Sequence, residues 1–258
     1  MRLLLTFGPA WEPLDGARRL TNMSTGRLGV QLANAFTEAG WEVHCLRGEG
    51  ATYHGQIHTH EVESFTTNDE LAGKLERIAR LRRIDAVFHA AALCDYRIAR
   101  VTNAAGADVR SAKIATRDGR LLLELEPATK VLPQLRGWFP HARIVGWKYE
   151  LAGSREDAFA KAWRQLRECG TDACILNGSA YGDGFALCRP EDRVQHCPGS
   201  AQLAGSLQSW LGADRPRVRR FPKRRGDALH PPTLRRRHTG LKLAIRDTWL
   251  PMDTSVTA

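Results

Sequence analysis

The chain has 258 residues, 43% hydrophobic and 26% charged, values that are ordinary for a globular protein and exclude a largely disordered or membrane-embedded chain. Its net charge of +10 is uneven, because 12 of the 38 Lys and Arg residues but only 4 of the 28 Asp and Glu residues lie from Ala213 onwards. We therefore predict an almost neutral folded domain at 1–212 and a basic, disordered tail at 213–258. No segment looks like a signal peptide or a membrane span, and the six scattered cysteines fit reduced thiols, so we expect a cytoplasmic protein.

Apolar runs and helical periodicities alternate along the chain. Buried strands are predicted at 2–7, 41–46, 84–91, 143–149 and 172–176, and helices at 28–39, 68–83, 130–138 and 155–169, with one more apolar run at 121–125. This alternation predicts a three-layer αβα, Rossmann-like α/β domain with a mainly parallel sheet. Such sheets bind ligands beyond the carboxyl ends of their strands, so the residues after Phe7, Ala90, Val145 and Leu176 should converge on one site.

The segment Arg18–Gly29 leads from the first strand region into the first helix. Ser24, Thr25 and Gly26 stand where that helix begins, so its free N–H groups and positive dipole end suit a phosphate. Gly29 allows close packing of helix on sheet. An ordinary Ser/Thr cap with helix-packing glycines would explain the same residues without a ligand. The common dinucleotide and P-loop glycine motifs are both missing.

Two further stretches contain candidate ligand-binding residues. The small residues Ala90–Ala92 end a predicted strand and would let a planar ligand lie on the backbone, and Asp95 could hold a ribose hydroxyl or orient a metal-bound phosphate. An aspartate that caps a turn is the alternative. Lys113 could close over a triphosphate and neutralise charge on the leaving group, although, taken by itself, a solvated surface lysine is the better interpretation.

Three histidines, His54, His58 and His60, alternate in one short segment. The spacing raises the possibility of a metal site, but we interpret the segment as a surface strand. The sequence therefore predicts no metal-binding residues.

In chain order, these stretches resemble the phosphopantothenoylcysteine synthetase family, the second module of the bacterial bifunctional coenzyme A biosynthesis protein. The most specific match is Arg18–Gly29, which fits the family pattern R-x-[IL]-[ST]-N-x-S-[ST]-G-[KR]-[ML]-G at nearly every position. The remaining matches are Gly8–Asp15, Ala91–Ile98, Lys113–Thr116, Gly146–Glu150, Leu176–Ser179 and Gly184–Phe185. The resemblance covers about residues 2–211.

The resemblance implies a ligase. In that family a nucleoside triphosphate activates the carboxylate of 4′-phosphopantothenate as an acyl-nucleotide, and the amine of cysteine then displaces the nucleotide. It implies catalytic roles for Asn22 at the acyl intermediate, Arg18 on the substrate side and Lys113 at the triphosphate, with CTP or ATP as co-substrate and Mg²⁺. The implied nucleotide-binding residues are Gly8, Ser24, Thr25, Gly26, Arg27, Ala91, Ala92, Asp95, Lys113, Lys130, Trp147, Asn177, Gly184 and Phe185.

Several positions depart from the family pattern. The glycine and threonine of the first loop are replaced within Pro9–Trp11, and the lysine-rich continuation of the lysine loop by Ala115 and Thr116. Members that use CTP carry lysines where this chain has Gln165 and Cys169, so CTP and ATP both stay open. The departures also leave open a paralogue that binds a nucleotide but acts on another carboxylate or has lost catalysis.

The basic tail suggests a different class of function. Clusters of Lys and Arg bind nucleic acid through phosphate contacts, but this tail lacks interleaved aromatic residues and any recognised module. We therefore expect small-molecule substrates rather than nucleic acid or a membrane, and the resemblance implies a homodimer.

Overall fold

The computed structural model describes residues 1–109 and 111–213. The strands along these residues are β1 (Arg2–Pro9), β2 (Trp11–Pro13), β3 (Arg19–Thr21), β4 (Glu42–Gly48), β5 (Glu61–Phe65), β6 (Ala86–Ala92), β7 (Tyr96–Asn103), β8 (Leu121–Pro127), β9 (Arg143–Tyr149), β10 (Ala173–Gly178), β11 (Gly182–Arg189) and β12 (Arg193–Cys197). The helices are α1 (Arg27–Glu38), α2 (Asn68–Leu81), α3 (Leu135–Trp138), α4 (Arg155–Cys169) and α5 (Ser200–Ala213).

Eight of these strands form one sheet in the order β12-β11-β10-β9-β6-β1-β4-β5. The strands from β10 to β5 in this order pair in parallel, and β11 and β12 add an antiparallel edge. The predicted mainly parallel α/β fold is therefore confirmed. The chain runs outward from β1 to β5 and then returns to β6 on the other side of β1. The strand order consequently reverses between β1 and β6, where such folds bind ligands.

Helices cover both faces of the sheet because successive side chains of a strand point to opposite sides. Leu3 and Phe7 of β1 belong to the core that includes α1 and α5, whereas Leu4 packs with α2 and α3. Helix α4 covers Cys174 and Leu176 of β10. Two helical layers thus enclose the sheet, as the three-layer prediction requires.

The predicted strands and helices are present with ends within two residues of those predicted, apart from residues 130–138. There the chain forms a 3-10 turn at Leu132–Gln134 followed by the single turn of α3. Pro133 explains the shortness, since a proline cannot donate a backbone N–H inside a longer helix.

The prediction of a surface strand at His54, His58 and His60 is wrong. Residues 51–59 are irregular, and β5 begins only at Glu61. The segment belongs to the crossover from the end of β4 to the start of the parallel strand β5, so it has no neighbouring strand with which to pair. The three imidazoles are exposed, and His60 Nδ1 accepts the N–H of Val43 at 3.2 Å.

Several elements were not predicted, although the apolar residues Leu203, Leu207 and Leu211 of one of them have helical spacing. They are β5, the antiparallel edge β11 and β12, helix α5, and the hairpins β2–β3 and β7–β8, which lie outside the main sheet. The apolar run 121–125 forms β8, and its leucines are largely exposed.

Helix α5 continues one residue past the predicted domain boundary at 212, and the predicted tail beyond it lies outside the described residues. In the part of the chain that is described, no helix has the length and apolarity of a membrane span.

Candidate functional site

The carboxyl ends of β1, β6, β9 and β10 lie side by side, because these four strands are parallel and consecutive in the sheet. Gly8 pairs with Ala91, and Pro9 pairs with Ala92. Three inter-strand gaps of roughly 4.8 Å each separate β1 from β10, so this edge is roughly 14 Å wide. The four segments predicted to converge therefore meet along one edge.

Helix α1 begins directly against the end of β1. Its N-cap residue is Gly26, with a φ of +78°, and an added Cβ there would lie 3.0 Å from Ala51 Cβ and 3.6 Å from Gly8 Cα. The positive φ and the short distances from the added Cβ both require glycine at this position. Thr25 Oγ1 accepts the N–H of Arg27 at 3.3 Å, but no side chain caps the helix at its N-cap position. The interpretation of this segment as an ordinary Ser/Thr cap therefore does not account for the N-cap position. The start of the helix keeps N–H groups that suit an anion.

The Asn22 amide lies over the end of β6. Its Nδ2 donates to the carbonyl oxygen of Ala92 at 3.0 Å, and the same oxygen accepts the N–H of Ala10 at 2.9 Å. Thr21 Oγ1 donates to Ala10 O at 2.8 Å, which holds the end of β3 against the same place. One of the two amide N–H groups of Asn22 is used in this way, and the side chain is exposed. A second N–H donor is therefore available at the sheet edge.

Asp15 joins the segment that carries Arg18 to the segment that carries Lys113. The Arg18 guanidinium pairs with the Asp15 carboxylate and donates to the carbonyl oxygen of Ile114 at 2.8 Å. The side chain of Asp15 is only 1% exposed, and its hydrogen bonds with the Arg18 guanidinium and the Ala17 N–H hold its pKa well below the usual range. Local sequence places Asp15 in a loop motif but does not indicate this role, because both partner segments must first be brought together.

Asp95 and Lys130 form an ion pair beyond the end of β6. Their side chains are 78% and 57% exposed, so the pair is accessible to a ligand. Asn68 anchors the two loops that carry them, because its Nδ2 donates to Cys94 O at 2.8 Å and to Thr129 O at 3.0 Å. Asn68 is 2% exposed and was missed, since its sequence position beside Thr67 indicates only a helix start.

Trp147 lies half-buried near the end of β9. Its ring packs 6.0 Å from that of Phe88, and its buried indole N–H has no hydrogen-bond acceptor among the described residues. A buried donor without a protein acceptor is costly. The position of Trp147 beside a nucleotide base stays a prediction.

Asn177, Gly184 and Phe185 meet at the far end of the same edge. Asn177 is near the end of β10, and its main-chain oxygen accepts the N–H of Glu150 at 2.9 Å. Gly184 and Phe185 lie in the first half of β11, just before the residue that pairs with Leu176. These three predicted residues are thus neighbours, although Asn22 lies at the end of β6, two strands away from β10.

Thr6 and His89 form a buried polar pair under the strand ends. Thr6 Oγ1 and His89 Nδ1 are 2.7 Å apart, and both residues are buried. Burial lowers the pKa of His89 to about 4, so its imidazole is neutral near pH 7. Sequence reasoning missed this pair, because both residues lie inside apolar strands.

Gln165 and Cys169, which the resemblance singled out for nucleotide choice, lie on α4 beside β9 and β10. Gln165 Nε2 donates to Cys174 Sγ at 3.2 Å, so Gln165 packs against the sheet. One helical turn earlier, Lys161 pairs with the buried Glu150, which also lies 3.5 Å from Lys148 Nζ. Two lysines therefore flank the end of β9: Lys148, which lies in the matched stretch Gly146–Glu150, and Lys161, which the sequence analysis did not single out.

One group of three described residues has the spacing of a metal site, although the sequence predicted none. His44 Nε2 lies 3.1 Å from Glu63, and His44 Nδ1 lies 3.6 Å from Glu61. Both carboxylates are also paired with arginines, Glu63 with Arg77 and Glu61 with Arg82. A cation would have to displace these guanidinium groups, so the arrangement is an ion-pair network on β4 and β5.

Comparisons with known proteins agree with this architecture. The family described as DNA/pantothenate metabolism flavoprotein C-terminal domain matches residues 1–197. The coenzyme A biosynthesis bifunctional protein CoaBC of Thermococcus kodakarensis is 31% identical over 176 residues, which are 68% of this chain and 41% of that protein. The chain thus spans less than half the length of the curated relatives that it matches.

Solved structures show the same fold. The DNA/pantothenate metabolism flavoprotein from Streptococcus pneumoniae superposes with a TM-score of 0.72 at 21% identity, over 83% of this chain and 99% of that one. A Cab2 variant in complex with phosphopantothenate-cysteine gives a TM-score of 0.62 at 19% identity, over 82% of this chain and 87% of that one. With the motifs at the strand ends and the match over residues 1–197, the chain belongs to the DNA/pantothenate metabolism flavoprotein C-terminal domain family.

Proposed function

We propose that this chain is a phosphopantothenate–cysteine ligase, which uses CTP or ATP to activate 4′-phosphopantothenate and couples it to cysteine for coenzyme A biosynthesis. The observation that carries the proposal is the Asn22 amide on the Ala92 carbonyl beside the uncapped start of α1. The names of the curated relatives, which are coenzyme A biosynthesis proteins, support it.

In the first half-reaction, a carboxylate oxygen of 4′-phosphopantothenate attacks the α-phosphorus of the nucleotide. A phosphorus–oxygen bond breaks, and pyrophosphate leaves. The N–H groups at the start of α1 would bind phosphate oxygens, and Lys113 would neutralise charge on the leaving pyrophosphate. Trp147 would pack near the base.

In the second half-reaction, the amine of cysteine attacks the acyl carbon. A carbon–nitrogen bond forms, the carbon–oxygen bond to the nucleoside monophosphate breaks, and the amine releases a proton to water. Negative charge grows on the acyl oxygen during the attack, and the second N–H of Asn22 would donate to it. Ala92 holds the amide in place through its carbonyl, so the donor is pre-organised.

A Mg²⁺ ion that arrives with the nucleotide fits the residues present. Mg²⁺ is bound by one or two carboxylates together with phosphate oxygens and water, and the exposed Asp95 is a suitable carboxylate. When bound, the ion would neutralise phosphate charge. With the ion on Asp95, Lys130 would leave its pair with that carboxylate and bind phosphate oxygens.

The proposal is tested by a matrix of CTP or ATP, with and without 4′-phosphopantothenate and with and without cysteine. We expect pyrophosphate release to require 4′-phosphopantothenate, and free CMP or AMP to require cysteine as well. The same matrix identifies the nucleotide that the protein uses. If neither nucleotide is consumed with this substrate but one still binds, the paralogue alternative replaces the ligase.

We also propose that the protein forms a homodimer through the β7–β8 hairpin. Its side chains Tyr96, Leu122, Leu123 and Leu125 are between 39% and 57% exposed. A hairpin with apolar residues on both faces is marginally stable alone, so a second copy would cover it.

Sedimentation tests the dimer. The double variant Leu123→Glu/Leu125→Glu should sediment as a monomer at micromolar concentration, where the wild type is a dimer. Val194→Glu, which alters an exposed residue of β12, is the matched control and should stay dimeric. A monomeric wild type would contradict the proposal.

The nucleic-acid alternative rests on the basic tail, which lies outside the described residues, and no observation at this site favours it.

A further inference from the structure

We infer that Asp15 is a positioning residue that sets the main chain around Lys113; the inference rests on the nucleotide contact proposed for that lysine. The residues on both sides of Lys113 are tied to the turn between β2 and β3. The N–H of Gly16 donates to Ala112 O at 2.8 Å, and the N–H of Ile114 donates to Asp15 Oδ2 at 3.1 Å. The Arg18 guanidinium donates to Ile114 O at 2.8 Å. We call this set of bonds, which joins residues 15–18 to residues 112–114, the clamp.

The clamp has little freedom to move. Asp15 Oδ1 accepts the N–H groups of Ala17 and Arg18, each at 2.8 Å, while Oδ2 accepts Arg18 Nε at 3.0 Å. An added Cβ at Gly16 would lie 2.7 Å from Ala112 O, so the two segments are in close contact. The side chain of Ile114 is 4% exposed and anchors the second side.

Lys113 is the exposed residue between these two anchors. Its long side chain keeps its rotamer freedom, but its Cα is placed by the bonds to residues 112 and 114. A lysine on an unanchored loop would have to order that loop each time a nucleotide binds, which costs affinity. Lys113 is the one lysine in this loop, residues 112–116, so it is the lysine that the clamp can hold.

The Arg18 guanidinium contacts this loop, a contact that the implied role of Arg18 on the substrate side does not include. The guanidinium pairs with the Asp15 carboxylate and donates to the carbonyl oxygen of Ile114. Through these two interactions Arg18 helps to hold the loop. Asp15 is the better residue to substitute, because its carboxylate bonds to the loop and is itself buried.

The test uses Asp15→Asn in the full chain. An asparagine keeps Oδ1 as acceptor for the turn but places an NH₂ group where Oδ2 accepts from Ile114 and Arg18. Hydrogen exchange of the Ile114 amide should accelerate about tenfold or more, while amides of β1 keep their wild-type rates. In steady-state assays the KM for the nucleotide should rise about tenfold, with the KM for cysteine unchanged within about twofold.

A double-mutant cycle separates positioning from a general structural role. If Asp15 acts through Lys113, Asp15→Asn should change the nucleotide KM less than about twofold in a Lys113→Ala background. Asp85→Asn is the matched control, because Asp85 Oδ2 also accepts a backbone N–H, that of Arg2 at 2.8 Å, far from this loop. It should leave the Ile114 amide unchanged.

Two results would overturn the inference: an unchanged Ile114 exchange rate in Asp15→Asn, or fully additive effects of the two substitutions. The exchange measurement does not depend on turnover. Absence of turnover by the wild type would therefore refute the proposed ligase, while the clamp would still be tested by exchange.

Discussion

Replacing Asn22 by alanine is expected to lower the kcat of ligation roughly 100- to 1000-fold, the usual cost of removing one oxyanion donor. The loss should fall on the second half-reaction, because the amide is proposed to donate to the acyl oxygen during amine attack. Pyrophosphate release in a single turnover should continue, and acyl-nucleotide should accumulate. Quench-flow measurement of pyrophosphate and of the acyl-nucleotide in the same sample distinguishes the two steps.

Asn22→Asp and Asn34→Ala are the informative comparisons for this experiment. Aspartate keeps the shape of the side chain but removes the N–H donor, so it should be at least as impaired as alanine. Asn34 likewise donates its Nδ2 to a main-chain oxygen, that of Gln56 at 2.8 Å, but its partner lies in the β4–β5 crossover. Asn34→Ala should keep near wild-type turnover. Equal slowing of both half-reactions by Asn22→Ala would remove the residue from the proposed mechanism.

Replacing Gly29 by alanine is expected to destabilise the fold by about 2 kcal/mol, although alanine normally favours a helix. An added Cβ would lie 2.1 Å from Phe7 Cγ and 2.3 Å from Phe7 Cβ, and Phe7 is 1% exposed. Either α1 or the β1 side chain must move, and overpacking of this kind costs about 1–3 kcal/mol. For a domain of this size the melting temperature should fall by roughly 4–8 °C.

Gly73→Ala is the matched control for Gly29→Ala. Gly73 also lies inside a helix, α2, but an added Cβ there would have no neighbour within 4 Å. The substitution should therefore stabilise the protein by about 0.5–1 kcal/mol, the ordinary helix preference for alanine over glycine. Urea denaturation of both variants checks the signs. If both substitutions stabilise, α1 does not pack on β1 as described.

The two predictions are connected through α1. The helix must approach β1 closely for Gly26 to reach Gly8, and Gly29 makes that approach possible one turn later. A shift of α1 in Gly29→Ala would also displace the N–H groups proposed to bind phosphate. We therefore expect the stability loss to be accompanied by a higher KM for the nucleotide.

The candidate site was predictable where its residues follow strands. A parallel sheet brings the carboxyl ends of neighbouring strands to one edge, so Gly8, Ala91 and Trp147 could be grouped once the strands were recognised. The roles of Arg18 and Asp95 were harder to foresee, because each is decided by a partner distant in sequence. Ile114 is 96 residues from Arg18, and Lys130 is 35 residues from Asp95.

The sequence by itself determined the central sheet, its covering helices and the glycine-rich start of α1, because apolar runs and helical periodicities record which side chains are buried. It also carried the family motifs. Tertiary structure alone decided the hairpins β2–β3 and β7–β8, the edge strands and the clamp at Asp15. These features depend on pairings between segments far apart in the chain, and their exposed or mixed side chains leave no periodic signal. Local patterns report burial, whereas long-range pairings are chosen only when the whole chain packs.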